Sequence, residues 1–192
     1  MSYTKVEICN LALRRIGSSA IIQALTESSQ EAYNCNAFYE NALLSALESY
    51  PWDFAREVVE LTALADTLQD DDEYEYVYQI PSGCVRALYI LPKQNPAIDF
   101  ARRKTKLYAN VEDAVLAYTD FVDVPAYYPH NFVRALSYAI AVDICLPLTS
   151  DAALQQRMVS LFQGALPEAK TVDGKQGKKT IPNYSDIVEA RA

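Results

Sequence analysis

The segment spanning residues 132–146 constrains the fold most, because a helix built on it is apolar around nearly its whole circumference. Two sets of side chains at helical spacing form its sides: Phe132, Leu136, Ala139, Ile140 and Ile144 on one, and Ala135, Tyr138, Val142 and Cys145 on the other. A helix with this pattern packs against neighbours on two faces. We therefore expect it inside a helical bundle, with Asn131 as its N-cap.

The first fifty residues predict a helical hairpin that can cover one of those faces. Residues 4–7 have the spacing of a capping box, and Gly17 stands where a left-handed residue would end the first helix. Residues 28–31 offer a second capping box, followed by an apolar stripe over five turns. Pro51 ends this second helix.

The chain after residue 150 predicts one more long helix and then a tail of different composition. Ser150 or Asp151 is placed to cap the helix, and Pro167 lies near its expected end at Ala169. Residues 170–192 are rich in lysine and glycine and offer little apolar surface to bury. They predict a mobile arm that can become ordered on a partner.

The middle of the chain has the period-two pattern of β-strands. The clearest strand covers residues 74–80, and further candidates are residues 85–91, 98–103, 105–109 and 114–121. Residues 56–64 could form either a strand or a helix. The prediction is a small antiparallel sheet inserted between helices.

The predicted fold class is α+β and mainly α. The main domain is expected over residues 1–169, with a helical hairpin at 4–50, a β insertion at about 56–124 and helices over 131–169. The flexible C-terminal arm is expected over residues 170–192. A length of 192 residues with 51% apolar composition suits one compact domain.

Charge and hydropathy limit the classes of partner. The net charge of −8 arises in residues 1–97, which hold 14 acidic and 6 basic side chains, whereas residues 98–192 hold 11 of each. An acidic surface repels the DNA backbone, so gripping DNA is disfavoured, although a wall past which DNA slides is not. No signal-peptide pattern opens the chain. The longest apolar run, residues 139–148, is about half of what a membrane span needs.

Metal-binding and nucleophilic chemistry find no support in the residue pattern. The four cysteines are widely separated and there is one histidine, so the clustered ligands of a zinc site are not indicated. That histidine, His130, has no serine or cysteine at an indicative spacing and fits a loop or cap position better. Buried, reduced thiols are the expected state of the cysteines.

Phosphate and calcium binding are also disfavoured. Residues 174–180 contain glycines and lysines but lack the spacing of a phosphate loop, and no strand precedes them. The acidic run at residues 70–73 lacks the alternating oxygen ligands and the glycine of a calcium loop, and predicts a solvated turn. The sequence therefore predicts a protein that is not an enzyme and that has no metal or cofactor.

One carboxylate and a set of tyrosines remain as candidate interaction residues. Asp143 stands in the apolar helix and is expected to pair with a buried arginine, such as Arg134 or Arg14, or with a hydroxyl, or to face another subunit. The chain has 14 tyrosines, a residue type suited to interfaces because it combines apolar area with a polar tip. The candidate subunit or tail interface consists of Tyr74, Tyr76, Tyr78, Tyr127 and Tyr128. For the three strand tyrosines, packing in the core is the alternative.

Three stretches carry a resemblance to a known family. They are residues 8–17, followed by the helix with Tyr39; residues 50–55, with the sequence Tyr-Pro-Trp-Asp-Phe-Ala; and residues 78–86, with the sequence Tyr-Gln-Ile-Pro-Ser-Gly-Cys-Val-Arg. In this order the chain resembles the tail tubular protein A-like head-to-tail connectors of short-tailed bacteriophages. The matching positions are Leu13, Gly17, Tyr39, Pro51, Trp52, Phe54, Pro81, Cys84 and Arg86. Gly83 replaces an acidic residue of the family pattern, which concerns the local turn geometry and not the fold.

The resemblance implies a structural role in the virion, at the junction of head and tail. It implies a helical bundle with an inserted β region, twelve copies in a ring below the portal protein, a tail nozzle beneath, and double-stranded DNA passing through the bore. The C-terminal arm would reach onto the portal. Its candidate portal-binding residues are Lys175, Lys178, Lys179, Tyr184, Ile187, Val188 and Arg191. Another neck or tail-completion ring protein, or a host-encoded interaction module, remains an alternative.

Overall fold

The computed structural model describes residues 3–64, 73–91 and 97–176, and it confirms the α+β, mainly α, fold class. The helices of the described chain are α1 (Lys5–Arg15), α2 (Gln30–Glu48), α3 (His130–Thr149) and α4 (Ala152–Gln176). Its strands are β1 (Arg56–Glu60), β2 (Tyr76–Gln79), β3 (Cys84–Leu91), β4 (Phe100–Arg103), β5 (Lys106–Ala109) and β6 (Val115–Asp120). Short 3-10 turns at Asp53–Ala55 and Pro125–Tyr127 connect the helices to the β region.

The caps of α1 are those that the sequence predicts. The backbone N–H of Glu7 donates to the Thr4 hydroxyl (3.2 Å), and the Glu7 carboxylate accepts from the Thr4 N–H (2.7 Å). At the other end Gly17 has a φ of 81°, and the N–H of Ser18 donates to the Leu13 carbonyl (3.0 Å). The capping box and the left-handed glycine stop are both confirmed.

The cap of α2 differs from the prediction by one residue. Ser29, not Ser28, is the N-cap, and its hydroxyl accepts from the N–H of Ala32 at 3.2 Å. The third helical residue is therefore an alanine, which has no side chain that can reach back to the cap. The second capping box is wrong, and a single serine cap replaces it.

The apolar helix α3 lies at the centre of the bundle, in contact with α1, α2 and α4. It has the length and apolar composition of a membrane span, a property that buried core helices share. It begins at His130, after Pro129, with no side-chain cap, so the prediction of Asn131 as the N-cap is wrong. It also continues through Pro147 to Thr149 and ends at Ser150 in a left-handed conformation (φ 53°).

Helix α4 extends further than the sequence analysis predicts. The carboxylate of Asp151 caps it by accepting from the N–H of Leu154 (2.9 Å), and the helix runs to Gln176. Pro167 removes one backbone donor without ending the helix, because Ala165, Ala169 and Asp173 lie buried at successive four-residue steps. The predicted arm boundary at residue 170 is therefore wrong: residues 170–176 are helical.

In the part of the β region that the structure describes, the strands form two three-stranded antiparallel sheets, whereas the sequence predicts one. The strand orders are β1-β6-β3 and β2-β5-β4. All five clear strand predictions fall on β2 to β6, and β1 settles residues 56–60 as strand. Strand pairing depends on contacts between distant segments, which the alternation of residues along one strand does not encode.

The described residues form two hydrophobic cores. The larger lies among the four helices and the turn at Asp53–Ala55. The smaller lies between the two sheets and includes Leu61, Tyr78, Ile90, Leu107 and Leu116. Val85 and Phe121, at the ends of β3 and β6, pack against the larger core and so join the β region to the bundle.

Candidate interaction surfaces

The Tyr-Pro-Trp-Asp-Phe-Ala motif contributes to an aromatic cluster at the N-terminal end of α3. The Trp52 and Phe54 rings both lie edge-on to Phe132, with centroid distances of 4.9 and 4.8 Å, and Tyr128 adds a third such contact at 5.1 Å. The Trp52 indole N–H donates to the carbonyl of Ala46 at 2.8 Å. These motif residues therefore fix the turn after α2 against the core.

The other motif residues of the helical hairpin are also structural. Leu13 and Tyr39 are buried in the larger core, whereas Pro51 is exposed at the end of α2. Lys5, whose ammonium lies 5.5 Å from the Tyr39 ring centroid, also forms an ion pair with Asp123. This pair ties the first turn of α1 to the chain that follows β6.

The third motif forms the turn between β2 and β3. The N–H of Cys84 donates to the Pro81 carbonyl (3.0 Å), and the N–H of Phe121 donates to the Gly83 carbonyl (2.8 Å). A Cβ added at Gly83 would meet Oδ1 of Asp120, the end of a flexible side chain. The position where the family pattern has an acidic residue thus adjoins an acidic side chain that comes from β6.

This turn and the outer face of α2 form a surface groove of about 670 Å³, which we call the α2–turn groove. Its walls include Glu40, Leu44, Glu48, Pro81, Ser82, Gly83, Cys84, Val85, Arg102, Tyr118, Asp120 and Phe121. The groove was not predicted. The spacing of four residues between Glu40, Leu44 and Glu48 was the available signal, since it places them on one helix face.

The α2–turn groove has an excess of negative charge. Glu40 and Glu48 are exposed on one wall, and Asp120 is half-buried on the other. Among the described residues that line the groove, the one basic side chain is that of Arg102, which donates to the carbonyls of Val85 (2.8 Å) and Cys84 (3.1 Å). Its guanidinium is thereby held on the backbone of β3. A second guanidinium, that of Arg86, donates to the carbonyl of Glu48 (3.4 Å) beside the groove, so among the described residues three carboxylates stand near two cations.

The predicted tyrosine interface divides into core and surface residues. Tyr78 and Tyr128 are 1% and 6% exposed, so their assignment to an interface is wrong, and core packing is the correct alternative for Tyr78. The Tyr78 hydroxyl donates to the Val111 carbonyl. Tyr74 and Tyr76 are half-buried, and Tyr127 is 65% exposed. Only Tyr127 is fully available to a partner.

Strand β1 is an exposed surface that the sequence analysis did not identify. It is the edge strand of its sheet, and all five of its residues are exposed. Val58 and Val59, which point to opposite faces, are 52% and 37% exposed. Within residues 3–64, 73–91 and 97–176 no strand pairs with its outer edge, and an edge strand with exposed valines is suited to pairing with another chain.

The end of α4 holds the first part of the predicted portal-binding arm. Asp173 is 4% exposed and accepts from the backbone N–H of Asp53 at 3.0 Å. Burial raises the pKa of the Asp173 carboxyl, against the opposing attraction of Arg56. Lys175 is exposed in the last turn. Lys178, Lys179, Tyr184, Ile187, Val188 and Arg191 lie outside the described residues.

Asp143 does not have the partners predicted for it. Arg134 instead pairs with Glu168 (2.9 Å), and Arg14 is exposed on α1. Within residues 3–64, 73–91 and 97–176, no hydrogen bond or ion pair involves the half-buried Asp143, and burial raises its pKa. The remaining alternative, contact with another subunit, stays a prediction.

The candidate chemical groups lie in packed surroundings. All four cysteines are buried and unpaired; a hydrogen bond with Cys35, together with burial, raises the pKa of the Cys9 thiol. The hydroxyl of Tyr3 lies 2.9 Å from Nδ1 of His130, in the first turn of α3. Among the described residues no three side chains of the His, Cys, Asp and Glu types form a metal-binding group. The acidic run at residues 70–72 lies outside the described residues.

Comparison with protein families and curated proteins finds no relative of this chain. No protein-family model matches the chain, and no curated protein matches it. Any function must therefore be argued from the motifs and from the surfaces described above.

Proposed function

We propose that this chain is a structural adaptor of a bacteriophage virion, which forms a ring below the portal and joins the head to the tail. It acts by binding other proteins and not by catalysis. The observation that carries the proposal is the agreement between the fold that the motif resemblance implies, a helical bundle with an inserted β region, and the fold of this chain. The motif residues Trp52 and Phe54 support it because Trp52 is buried in the bundle core and the half-buried Phe54 packs against that core through Phe132.

Lateral contacts between copies would use surfaces that the isolated chain leaves exposed. The free edge of β1 offers backbone donors and acceptors, and Val58 and Val59 add apolar area on its two faces. Tyr127 offers a further aromatic side chain. A closed ring needs two different surfaces to meet in each contact, because a head-to-tail arrangement repeats around the axis.

Contact with the portal is assigned to the C-terminal arm, which begins after α4. Lys175 lies in the last turn of α4, immediately before this stretch, and Lys178, Lys179 and Arg191 add positive charge. A segment that becomes ordered on a ring of twelve sites binds with higher apparent affinity when neighbouring copies are already attached. The reason is that lateral contacts raise its effective concentration at the portal. The tail nozzle would bind the opposite side of the adaptor ring.

Double-stranded DNA is proposed to pass through the bore without specific binding. The net charge of −8 supports this, since an acidic wall repels phosphate groups and does not hold the DNA during ejection. A basic bore in the assembled ring would contradict this part of the proposal.

The proposal is tested by mixing the purified chain with the portal protein encoded in the same genome and separating complexes by sedimentation. We expect the chain to sediment with the portal ring and to lose this property when it is truncated after Gln176. Sedimentation that is unaffected by the truncation would contradict the role of the arm. Binding only to tail components would favour the tail-completion alternative, and binding to neither would contradict a role in the virion neck.

A further inference from the structure

We propose that the α2–turn groove is the docking site for residues 178–184 of the same chain in the isolated protein. The docking does not depend on the adaptor role. If that role holds, the portal and the groove compete for the same segment, because a segment held in the groove cannot bind elsewhere.

The groove offers two carboxylates with an apolar side chain between them. Glu40, Leu44 and Glu48 follow one another at four-residue spacing along α2, and Leu44 is 38% exposed. Asp120 and Phe121 stand on the facing wall. A ligand that fits this surface carries positive charge next to apolar side chains.

Residues 178–184 have that composition, with the sequence Lys-Lys-Thr-Ile-Pro-Asn-Tyr. Lys178 and Lys179 complement the groove carboxylates, and Ile181, Pro182 and Tyr184 supply apolar surface for Leu44 and the walls around it. The proline at 182 restricts the backbone, which lowers the entropy lost on docking.

The end of α4, from which the segment continues, lies close to the end of α2. The Asp173 carboxylate is bound to the N–H of Asp53, and a Cβ added at Gly174 would lie 2.8 Å from the hydroxyl of Tyr50. Tyr50 follows Glu48 by two residues, so α4 ends beside the C-terminal end of the groove helix.

Chain length allows the segment to reach along the groove. A stretch from residue 177 to residue 184 spans up to about 25 Å when extended, whereas Glu40 and Glu48 are about 12 Å apart along α2, at 1.5 Å per residue. Tethering also gives the segment an effective concentration on the order of millimolar at the groove. Docking of a short segment with modest intrinsic affinity is therefore favourable.

Chymotrypsin cleavage of the full chain after Tyr184 tests the proposal, because a docked segment is protected. The released fragment, residues 185–192, is quantified by mass spectrometry. We expect the variant E40Q/E48Q to be cleaved about fivefold faster than the unchanged protein, as expected when two exposed ion pairs are removed. The variant E57Q/E60Q, which makes the same charge change on the exposed strand β1, serves as the control and is expected to match the unchanged protein. Equal rates in all three proteins would overturn the proposal.

Carbodiimide cross-linking of an equimolar mixture of ¹⁴N- and ¹⁵N-labelled full chains identifies the occupant. We expect bonds from Lys178 or Lys179 to Glu40 or Glu48 within chains of one isotope. Cross-links that join the two isotopes at these residues would show that a second copy supplies the segment, and this would overturn docking within one chain. Cross-links from these lysines to other carboxylates only would overturn the site.

Discussion

The carboxylate of Asp173 accepts a hydrogen bond of 3.0 Å from the backbone N–H of Asp53, and it is the contact that fixes the end of α4 to the turn after α2. It joins residues that are 120 positions apart. Because Asp173 is buried, the body of the protein includes residues that composition alone assigns to a tail.

Two truncations are expected to differ in stability because of this contact. Removing everything after Ala169 deletes Asp173 and leaves the N–H of Asp53 without its partner, so the free energy of unfolding should fall by about 1–3 kcal/mol. Removing everything after Gln176 should change it by less than about 0.5 kcal/mol. Urea unfolding followed by circular dichroism measures both; equal stability of the two truncations would contradict the structural role of α4's last turns.

Substitution of Asp173 is expected to give a pH-dependent effect. Because burial raises the pKa of this carboxyl in the folded state, the folded protein binds the proton more tightly than the unfolded chain. The carboxyl therefore favours folding more at low pH, and this contribution is lost as the pH rises through its folded pKa. D173N keeps an oxygen acceptor without the charge, so it should raise the Tm at pH 7 and have little effect near pH 4.

The comparison variant D173A removes the acceptor as well and should lower the Tm at both pH values. Thermal unfolding at pH 7 and pH 4 separates the two cases. A D173N protein that is less stable than the unchanged chain at pH 7 would show that the charged form, and not the acceptor alone, stabilises the end of α4.

The order of helices and strands could be predicted from the sequence because each depends on local pattern. The apolar circumference of α3, the capping box at Thr4 and the alternation around Tyr78 all predict their elements correctly. The residue at which a helix ends depends less on the local sequence pattern and more on packing against the rest of the chain. Pro167 is a helix-breaking signal, yet the burial of Ala165 and Ala169 on either side keeps α4 helical.

The candidate surfaces could be predicted only in part, since burial depends on which strands pair. Tyr76 and Tyr78 share a strand face in the sequence pattern, but the packing of two sheets encloses Tyr78. Strand β1 has two adjacent valines among charged residues and no apolar–polar alternation, and its exposure follows from its position at the sheet edge. The α2–turn groove joins segments that are distant in sequence, so the four-residue spacing along α2 marks one wall but does not predict the facing one.

The close approach of Gly83 to Asp120 predicts a specific pair of substitutions. An alanine at position 83 would place its Cβ against Oδ1 of Asp120, and the carboxylate, at the end of a flexible half-buried side chain, can rotate away, so G83A should lower the free energy of unfolding by about 0.5–1 kcal/mol. In a D120A background the same change should cost less than about 0.3 kcal/mol. A double-mutant cycle measured by urea unfolding gives the coupling, and additive effects would contradict the contact.

Substitution of Val58, an exposed residue of β1, distinguishes an effect on folding from an effect on assembly. Because Val58 is 52% exposed, V58K should change the free energy of unfolding by less than about 0.5 kcal/mol. If β1 pairs with a neighbouring copy, the charge should reduce ring formation on the portal by at least about tenfold. The control I21K alters a residue of similar size and exposure (54%) in the loop between α1 and α2, and it should assemble normally. Equal assembly of both variants would exclude β1 from the lateral contact.

Cryo-electron microscopy of the full chain mixed with the portal protein from its own genome tests the central claim most directly. The adaptor account predicts a closed ring of twelve copies on one face of the portal, with the C-terminal residues in contact with portal subunits. A portal ring that remains bare in the presence of excess chain would contradict it.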